Sequence, residues 1–481
     1  MTRFIRNTAL FAALALAGCA SVGPDYKTPA TPAANVQGVD TARESADQFQ
    51  AQWWTQFNDP VLNALIQRAA KGNLDLHIAV ARLNESRALL GSAKADQLPT
   101  IDTDLAYSRA IEQQPGFTTQ RIPIKTYEAG FDASWEIDLF GGVRRNVEAA
   151  RADMGASEAS LRDAQVTLFA EVARNYFELR GTQQRLAIAQ RNIANQADTL
   201  KLIQARADIG TASEQDVASA SAQLSAARAQ LPVLDTQSKA NEYRLAVLVG
   251  EHPGELDVDV SPATFKPIAT VLPIGKADDV LSRRPDVRVA EREYAAATAR
   301  IGVAKADFYP HISIGGFLGF LAGQSNDFGG PASRAFSIGP SITWSGLNVE
   351  RVRSNLHASE ARADEAEANY QRTVLSAIED VDNAVVGYNA EHERVEQLMA
   401  QSEQSRRAAD LARIRYKEGA TGYLELLDAE RVQLAAEDDL AQSEAAIDTR
   451  AVSLYKALGG GWQACNDASC TQVANAVATV Q

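Results

Sequence analysis

The feature that most constrains this chain is an internal duplication of a unit of roughly 200 residues. Gly210 and Gly419 interrupt two similar polar segments, and Gly250 and Gly459 end two later apolar ones. Both pairs have the same offset, because 419 − 210 and 459 − 250 each give 209. The segments AKADQLP and AKADFYP end at Pro99 and Pro310, an offset of 211, so the halves differ by small insertions. This pattern favours one body built from two like halves.

Apolar residues recur every seven positions along the longest segments of both halves, a spacing that keeps one seam of a helix facing a partner helix. The segments from Gly141 to about Arg206 and from Ser213 to Val249 therefore predict a helical hairpin with its tip near Gly210. The second half repeats it, with a turn over residues 419–422. The recurring positions include Val172, Leu179, Leu186, Ile193 and Leu200, then Val374, Val381, Tyr388 and Val395.

Between helical segments the apolar period changes to two, which predicts strands. We expect two strands in each half, at about 100–108 and 128–139 and again at about 311–320 and 336–345, with a loop containing Pro115, Gly116 and Pro123 inside the first pair. Their length, roughly ten residues, suits a tilted membrane strand. Four strands cannot close a barrel, and lipid does not tolerate open sheet edges. Several chains would have to share one barrel, and three chains would supply twelve strands.

The first residues have the form of a secretory signal. Arg3 and Arg6 precede an apolar run, too short to span a bilayer, that ends Leu-Ala-Gly-Cys at Cys19. This ending resembles a bacterial lipobox, which predicts a signal peptide over 1–18 and a covalent lipid on Cys19. Ala20 and Ser21 follow, where lipoproteins of the inner membrane commonly carry Asp, so we expect the outer membrane. An ordinary signal peptide with a chance cysteine is the alternative.

The remaining boundaries follow from composition. We expect an extended arm over 19–57, a first repeat over 58–250, a Pro-rich linker over 251–275, a second repeat over 276–461 and a tail over 462–481. Cys465 and Cys470 could form a disulfide in an oxidising compartment, or remain two free thiols. The net charge of −14 argues against a nucleic-acid partner.

No catalytic pattern stands out. The five histidines are scattered without metal-ligand spacing, and the chain has no GxSxG elbow, phosphate-binding glycine loop or CxxC pair. We therefore expect neither an enzyme nor a cofactor or metal beyond the lipid.

Several motifs together resemble the outer-membrane efflux factors of the TolC/OprM type, in their NodT-like lipoprotein branch. They are GPDY at 23–26, RRPDV at 283–287, AKADFYP at 304–310, YLELLDAER at 423–431 and LGGGW at 458–462. The resemblance implies an α+β membrane protein, a homotrimer in which four strands per chain complete a twelve-stranded β-barrel that long helical hairpins continue as an α-barrel. It also implies two partners, a periplasmic adaptor and an inner-membrane pump, often of the resistance-nodulation-division class.

The same resemblance implies a gate. Leu424 and Asp428 match the family's constriction, and Glu425 matches a further acidic position in some members. The adaptor would meet the tips at Gly210, Thr211, Gly419 and Gly422. The alternative is that Leu424 is seam core and Asp428 a solvated helix charge. A basic residue that holds the gate closed in some members is replaced here by Thr421. The rival function is a lipid-anchored periplasmic coiled-coil tether, whose strands would form a soluble sheet.

Overall fold

The computed structural model describes residues 21–30, 39–40, 43–45, 49–113, 119–263, 267–268, 271–275, 279–345 and 348–466. It divides into two compact units. The first comprises residues 1–30, 82–158 and 288–372, and the second residues 31–81, 159–287 and 373–481. The predicted signal peptide, Cys19 and Cys470 lie outside the described residues, as does the side chain of Cys465.

The helices follow the duplication. They are α1 (Pro60–Gly72), α2 (Leu74–Ala95), α3 (Gly142–Asp208), α4 (Glu214–Val249), α5 (Val280–Arg283), α6 (Pro285–Ala306), α7 (Val349–Lys417) and α8 (Tyr423–Ala457). Gly72 ends α1 and Leu74 begins α2, and Asp59 begins α1 by accepting the amides of Val61 and Leu62. Within the described part of the chain, no helix combines the length and apolar composition that crossing a bilayer requires.

The first unit contains one antiparallel sheet of four strands in the order β1-β2-β3-β4. These are β1 (Thr100–Gln113), β2 (Arg121–Ile137), β3 (His311–Ala322) and β4 (Arg334–Thr343). The register pairs Thr100 with Ser134, Trp135 with Ile314, and His311 with Thr343. Among the described residues, β1 and β4 each have one strand neighbour, so the sheet is not closed.

The first strand pair is longer than the alternating pattern predicted. Residues 109–113 and 121–127, which we expected to be loop, continue the ladder, and Pro123 pairs with Ile111. Pro is tolerated there because β3 pairs with β2 only from Tyr127 onwards, so β1 is the one neighbour of this part of β2 among the described residues. The fourth strand lies two residues earlier than predicted and ends at Thr343, before Trp344.

The two faces of the sheet differ in chemistry. One face carries large apolar side chains, each more than half exposed: Ile101, Leu105, Tyr107, Phe131, Leu318, Phe336, Ile338 and Ile342. The other carries carboxylates and hydroxyls, and there Asp102 lies directly opposite Asp132. Like charges directly opposite each other destabilise a strand pair. This face therefore needs water or counterions, while the apolar face needs a cover that the unit does not provide.

The core of the second unit confirms most of the predicted seam. Val374, Val381, Tyr388 and Val395 of α7 are buried, as are Ile447 and Leu454 of α8. All of these except Val374 pack with aromatic residues of α3 and of the N-terminal arm, and Trp53 of the arm stacks on Tyr455 of α8 at 5.3 Å between ring centroids.

The seam of α3 changes along its length. Val172 and Leu179 are buried, but Leu186, Ile193 and Leu200 are only half-buried. Their places in the interior are taken by Ile188, Gln196, Thr199 and Ile203. A straight helix drifts about 20° per heptad relative to a strict seven-residue repeat, which rotates these positions out of the seam. Towards the tip, the contact face of α3 is consequently half polar.

Candidate gate at the helix tips

Two turns form the tips of the hairpins in the second unit. Each depends on a glycine in the left-handed region, Gly210 and Gly419, both with φ of 76°. The amides of Thr211 and Ala420 return to the carbonyls of Arg206 and Arg415, both at 2.8 Å. These are glycine-dependent helix terminations, and they satisfy carbonyls that the ending helices leave unpaired. The two tips therefore have the same backbone design, as the duplication predicted.

The helices that leave the turns begin differently. Ser213 caps α4 by accepting the amide of Asp216, and the Asp216 carboxylate accepts the amide of Ser213, which completes a capping box. In the second tip Gly422 occupies the capping position and offers no side chain to the first turn of α8. The hydroxyl of the neighbouring Thr421 is buried without a hydrogen-bond partner. The free backbone amides in the first turn of α8 thus have fewer hydrogen-bond acceptors than those in the first turn of α4.

A small apolar cluster joins the tips. Ile203 of α3, Ala220 of α4 and Leu426 of α8 are buried together with two tyrosines, Tyr416 and Tyr423. The tyrosine rings lie 6.2 Å apart between centroids, and burial raises the pKa of Tyr423 to about 12. This cluster is separate from the main core of the unit, so contact between the tips rests on few side chains.

Arg206 adds a polar link across the same contact. Its guanidinium donates to the carbonyl of Lys417 at 2.7 Å and lies 4.5 Å from the centre of the Tyr416 ring. Lys417 is the last residue of α7, so this carbonyl lacks a partner within its own helix. A charged donor on a free helix carbonyl and a cation–π contact both stabilise the pairing of the first tip with the second.

Glu430 lies two helical turns after Tyr423 on α8, and its side chain is buried. Burial raises the pKa of its carboxyl, and the hydrogen bonds from Arg413 and Thr199 only partly oppose that effect. Arg413 donates to Glu430 at 3.1 Å and to Asp410 at 3.0 Å. Arg413 and Glu430 line a polar groove of about 500 Å³ between α3, α7 and α8, together with Arg191, Arg406, Gln433 and Glu437.

The predicted gate residues lie on the opposite side of α8 from this seam. Tyr423, Leu426 and Glu430 are buried at heptad spacing, whereas Leu424 is 65% exposed. Glu425 and Asp428 are exposed as well. Leu424 is therefore not seam core in this chain. Leu424 and Asp428, four residues apart, share a helix face, with Glu425 beside them.

The predicted adaptor positions Gly210, Thr211, Gly419 and Gly422 are also exposed, at the outer ends of the two turns. Sequence reasoning missed Arg206, Tyr416 and Glu430. The only sequence signal for them was their place near the tip glycines, since a charged residue on a heptad pattern is ordinarily solvated. Among the described residues, no three His, Cys, Asp or Glu side chains are grouped as a metal site requires.

Comparison with known proteins decides the family. The model of the family described as outer membrane efflux protein matches residues 65–251 and 277–460, which together make up most of the chain. The chain belongs to the outer membrane efflux protein family. The two matched ranges overlap the two repeats predicted from the duplication.

The most similar proteins place this outer membrane efflux protein in the branch that the motifs indicated. Nodulation protein T of Rhizobium leguminosarum bv. trifolii is 30% identical over 444 residues, covering 92% of this chain and 94% of the relative. The pyoverdine export outer membrane protein OpmQ of Pseudomonas aeruginosa is 30% identical over 468 residues, covering 95% and 98%. The solved structure of the outer-membrane channel OprN has a TM-score of 0.89 and 44% identity, covering 92% of this chain and all of that one.

These matches confirm the family resemblance and the outer-membrane location. The protein is an efflux channel of the outer membrane, and over 92% of its length its fold is similar to that of the solved channel OprN.

Proposed function

We propose that this protein is the exit duct of a tripartite efflux pump, working as a homotrimer whose sheets close a twelve-stranded β-barrel. One observation carries the proposal: the four-stranded sheet has an uncovered apolar face and two edge strands without outer neighbours among the described residues. In lipid, each unpaired backbone group costs several kcal/mol, so the edges need strands from other copies. Three chains supply twelve strands, with the apolar face towards lipid and the carboxylates towards a water-filled lumen.

The partners follow from the family. OpmQ is named as a protein of pyoverdine export, and others among the relatives are named as components of solvent, toluene or cation efflux systems. For this chain we propose a periplasmic adaptor that meets the tips at Gly210, Thr211, Gly419 and Gly422, and an inner-membrane pump of the resistance-nodulation-division class. The exposure of all four tip residues supports the adaptor contact.

The gate is proposed at the start of α8. In a trimer, Leu424 becomes an apolar ring that can close a pore by excluding water, and Glu425 and Asp428 become carboxylate rings that favour cations. The exposure of these side chains on the face opposite the seam supports this role. The lack of a cap on α8 supports movement of its first turn.

The test is single-channel conductance in planar bilayers. We expect Leu424→Ala with Asp428→Ser to raise conductance severalfold and to weaken cation preference. Val432→Ala with Asp439→Ser is the matched control, since it removes an exposed apolar and an exposed acidic side chain further along α8. An unchanged conductance in the gate variant, or an equal change in the control, would refute the gate.

We also propose that Cys19 carries the lipid anchor. Mass spectrometry of the mature N-terminus should show acyl chains that are lost in Cys19→Ser. Processing at another residue would contradict the assignment.

A further inference from the structure

A cavity of about 460 Å³ lies in the second unit where α8 ends and α6 begins, and side chains of α3 and α7 complete its lining. We call it the junction pocket. Part of its wall is apolar, with Val166, Pro285 and Ala384, and the rest is polar or charged. Small-molecule sites are typically clefts of roughly 300–1,000 Å³ with an apolar wall and a few polar groups, and they occur between the helices of bundles. The junction pocket therefore has the size and the lining of a ligand site.

The junction pocket opens on the face of α8 that carries the predicted gate. Ser453 lines the pocket and follows Leu424 by 29 residues, since 453 − 424 = 29. This is close to eight helical turns, so the two residues share a face at a distance of about 44 Å along the helix. The opposite side of α8 is covered by the N-terminal arm, where Tyr455 stacks on Trp53. In the proposed trimer the gate face lines the lumen, so the pocket opens into the duct.

Arg284 is the buried cation of the junction pocket, and its hydrogen bonds go to the protein itself. Its guanidinium donates to both carboxylate oxygens of Asp286, at 3.0 and 2.7 Å, and to Asp380 of α7 at 2.9 Å. It also donates to the carbonyl of Ala457, the last residue of α8, at 2.9 Å. These contacts join the start of α6 to α7 and α8. Arg284 therefore serves the fold of the junction, and the capacity to bind a ligand lies in the other charged groups.

Three charged side chains of the pocket have no such partners. Asp163 of α3 and Arg450 and Lys456 of α8 form no hydrogen bond and no direct ion pair among the described residues. Asp163 is half-buried, whereas Arg450 and Lys456 are exposed. Burial and the neighbouring Asp286 raise the pKa of Asp163, and the charges of Arg284 and Lys456 only partly oppose them. The Asp163 carboxylate therefore lacks a cation that contacts it.

The first repeat builds the same helix junction without these charges. At the offset of 209 residues, Arg450 and Lys456 correspond to Asn241 and Val247 of α4. There the side-chain amide of Asn73 donates to a carbonyl near the end of α4 at 2.9 Å, as Arg284 does at the end of α8. The junction itself does not require the free charges of the second repeat, which favours a role for them in binding.

From these observations we propose that the junction pocket binds organic zwitterions with an apolar body as they pass through the duct. The ammonium group of the ligand contacts Asp163, its acid group contacts Arg450 and Lys456, and its body lies on the apolar wall. This rests on the proposed function, because an opening towards a lumen requires the trimeric duct.

The charge balance of the pocket selects this class of ligand. The pocket contains three cationic and three carboxylate side chains, which are Arg284, Arg450, Lys456, Asp163, Asp286 and Asp380. Their charges sum to zero, so a ligand that is only a cation or only an anion leaves one charge without compensation in a partly buried site. A zwitterion compensates the free groups of both signs and leaves the sum at zero.

Binding is tested with three probes that share a phenyl ring and differ in charge: phenylalanine is zwitterionic, phenethylamine is cationic and 3-phenylpropionate is anionic. Saturation-transfer NMR on the detergent-solubilised full chain at neutral pH gives a dissociation constant for each probe. We expect phenylalanine to bind at least fivefold more tightly than the other two. Its dissociation constant should be on the order of 1 mM, because the ligand is small and a site in a conduit must also release it. Equal binding of the three probes, or binding of none, would overturn the proposal.

Two variants should change which probe binds most tightly. Asp163→Asn removes a negative charge, so 3-phenylpropionate should become the tightest probe. Arg450→Gln with Lys456→Gln removes two positive charges, so phenethylamine should become the tightest. Asp439→Asn with Arg431→Gln is the matched control, exposed on α8 outside the pocket, and should keep phenylalanine first. Because each pocket variant gains a probe, misfolding cannot imitate this result. An unchanged order of the probes, or loss of all binding without a new order, would overturn the assignment.

The opening towards the lumen is tested by electron–electron resonance distances between nitroxide labels in the trimer, with Cys465→Ser and Cys470→Ser present. Labels at Ser453→Cys should lie closer together than labels at Thr55→Cys, on the arm that covers the opposite side of α8, by about the diameter of a helix, 10 Å, or more. Equal or longer distances at Ser453→Cys would place the pocket outside the duct and overturn the proposal. The two proposals fail separately: labels without any neighbour refute the trimeric duct, whereas the probes measure the pocket in detergent without conduction.

Discussion

Asp448 of α8 accepts the backbone amide of Ile268 at 2.8 Å inside the core, and its second carboxylate oxygen has no hydrogen-bond partner. The side chain is 1% exposed. Burial raises the pKa of this carboxyl to about 8, and the nearby Asp59 carboxylate adds to the rise. Tyr388 of α7 also faces it. The contact ties the linker between the repeats to the second repeat through a carboxyl that is protonated near neutral pH.

We predict that Asp448→Asn stabilises the protein increasingly as pH rises. Between the ordinary pKa of Asp and about 8, the unfolded chain releases a proton that the folded protein retains, so the free energy of unfolding falls by up to about 1.4 kcal/mol per pH unit. Asparagine keeps the acceptor for Ile268 and removes this dependence. Thermal unfolding of the detergent-solubilised protein at pH 5 and pH 8 measures the difference. Asp439→Asn, exposed on the same helix, should change little, and a gain of equal size at both pH values would contradict the prediction.

A second prediction concerns the pair of Arg413 and Glu430. Because Glu430 already has a raised pKa, its contribution to stability falls as pH rises above the ordinary value for Glu. Removing Arg413 takes away the main opposing charge, so Arg413→Ala should destabilise the protein by about 1 to 3 kcal/mol, and more at pH 8 than at pH 5. Urea unfolding at the two pH values measures this. Adding Glu430→Gln to Arg413→Ala should restore most of the lost stability. A double variant as unstable as Arg413→Ala alone would disprove the coupling.

A third prediction concerns the link between the tips. Arg206→Ala removes the donor to the Lys417 carbonyl and the cation over Tyr416, contacts worth about 1 to 3 kcal/mol together. We expect a higher open probability in planar bilayers. Arg191→Ala is the control, since that side chain is exposed and lies 3.9 Å from Glu437. If Arg206→Ala and Arg191→Ala had the same open probability, Arg206 would have no specific role in keeping the channel closed.

A fourth prediction follows from the unequal caps. Ser213→Ala should cost about 1 kcal/mol and speed hydrogen exchange in the first turn of α4, because the Asp216 amide loses its side-chain acceptor and keeps only the Ser213 carbonyl. Gly422→Ser should supply the cap that α8 lacks. We therefore expect slower hydrogen exchange in the first turn of α8 and a lower open probability of the channel. Ser225→Ala, further along α4, serves as control. Exchange in α8 that is unaffected by the new serine would show that the missing cap does not limit this turn.

Much of the fold was predictable because it follows from local periodicity. The duplication, the hairpins and the four strands are patterns of period 3.5 or 2 with glycine and proline at their ends. The tip turns were predictable for the same reason, since Gly210 and Gly419 supply a backbone conformation that few other residues adopt. The family followed from motifs spread along the chain.

Which charged residues are buried and which are exposed could be known only from the tertiary structure. Periodicity cannot tell that Glu430 and Asp448 are buried whereas Asp439 is exposed, because burial depends on which helices pack on α8 and in what rotation. The drift of the α3 seam and the pairing of Pro123 depend equally on neighbours distant in sequence. The sequence by itself determined which segments are helices, strands and turns, because those choices are made within a few residues. Only the tertiary structure decided which polar groups lose their water, because that requires surfaces that meet across hundreds of residues.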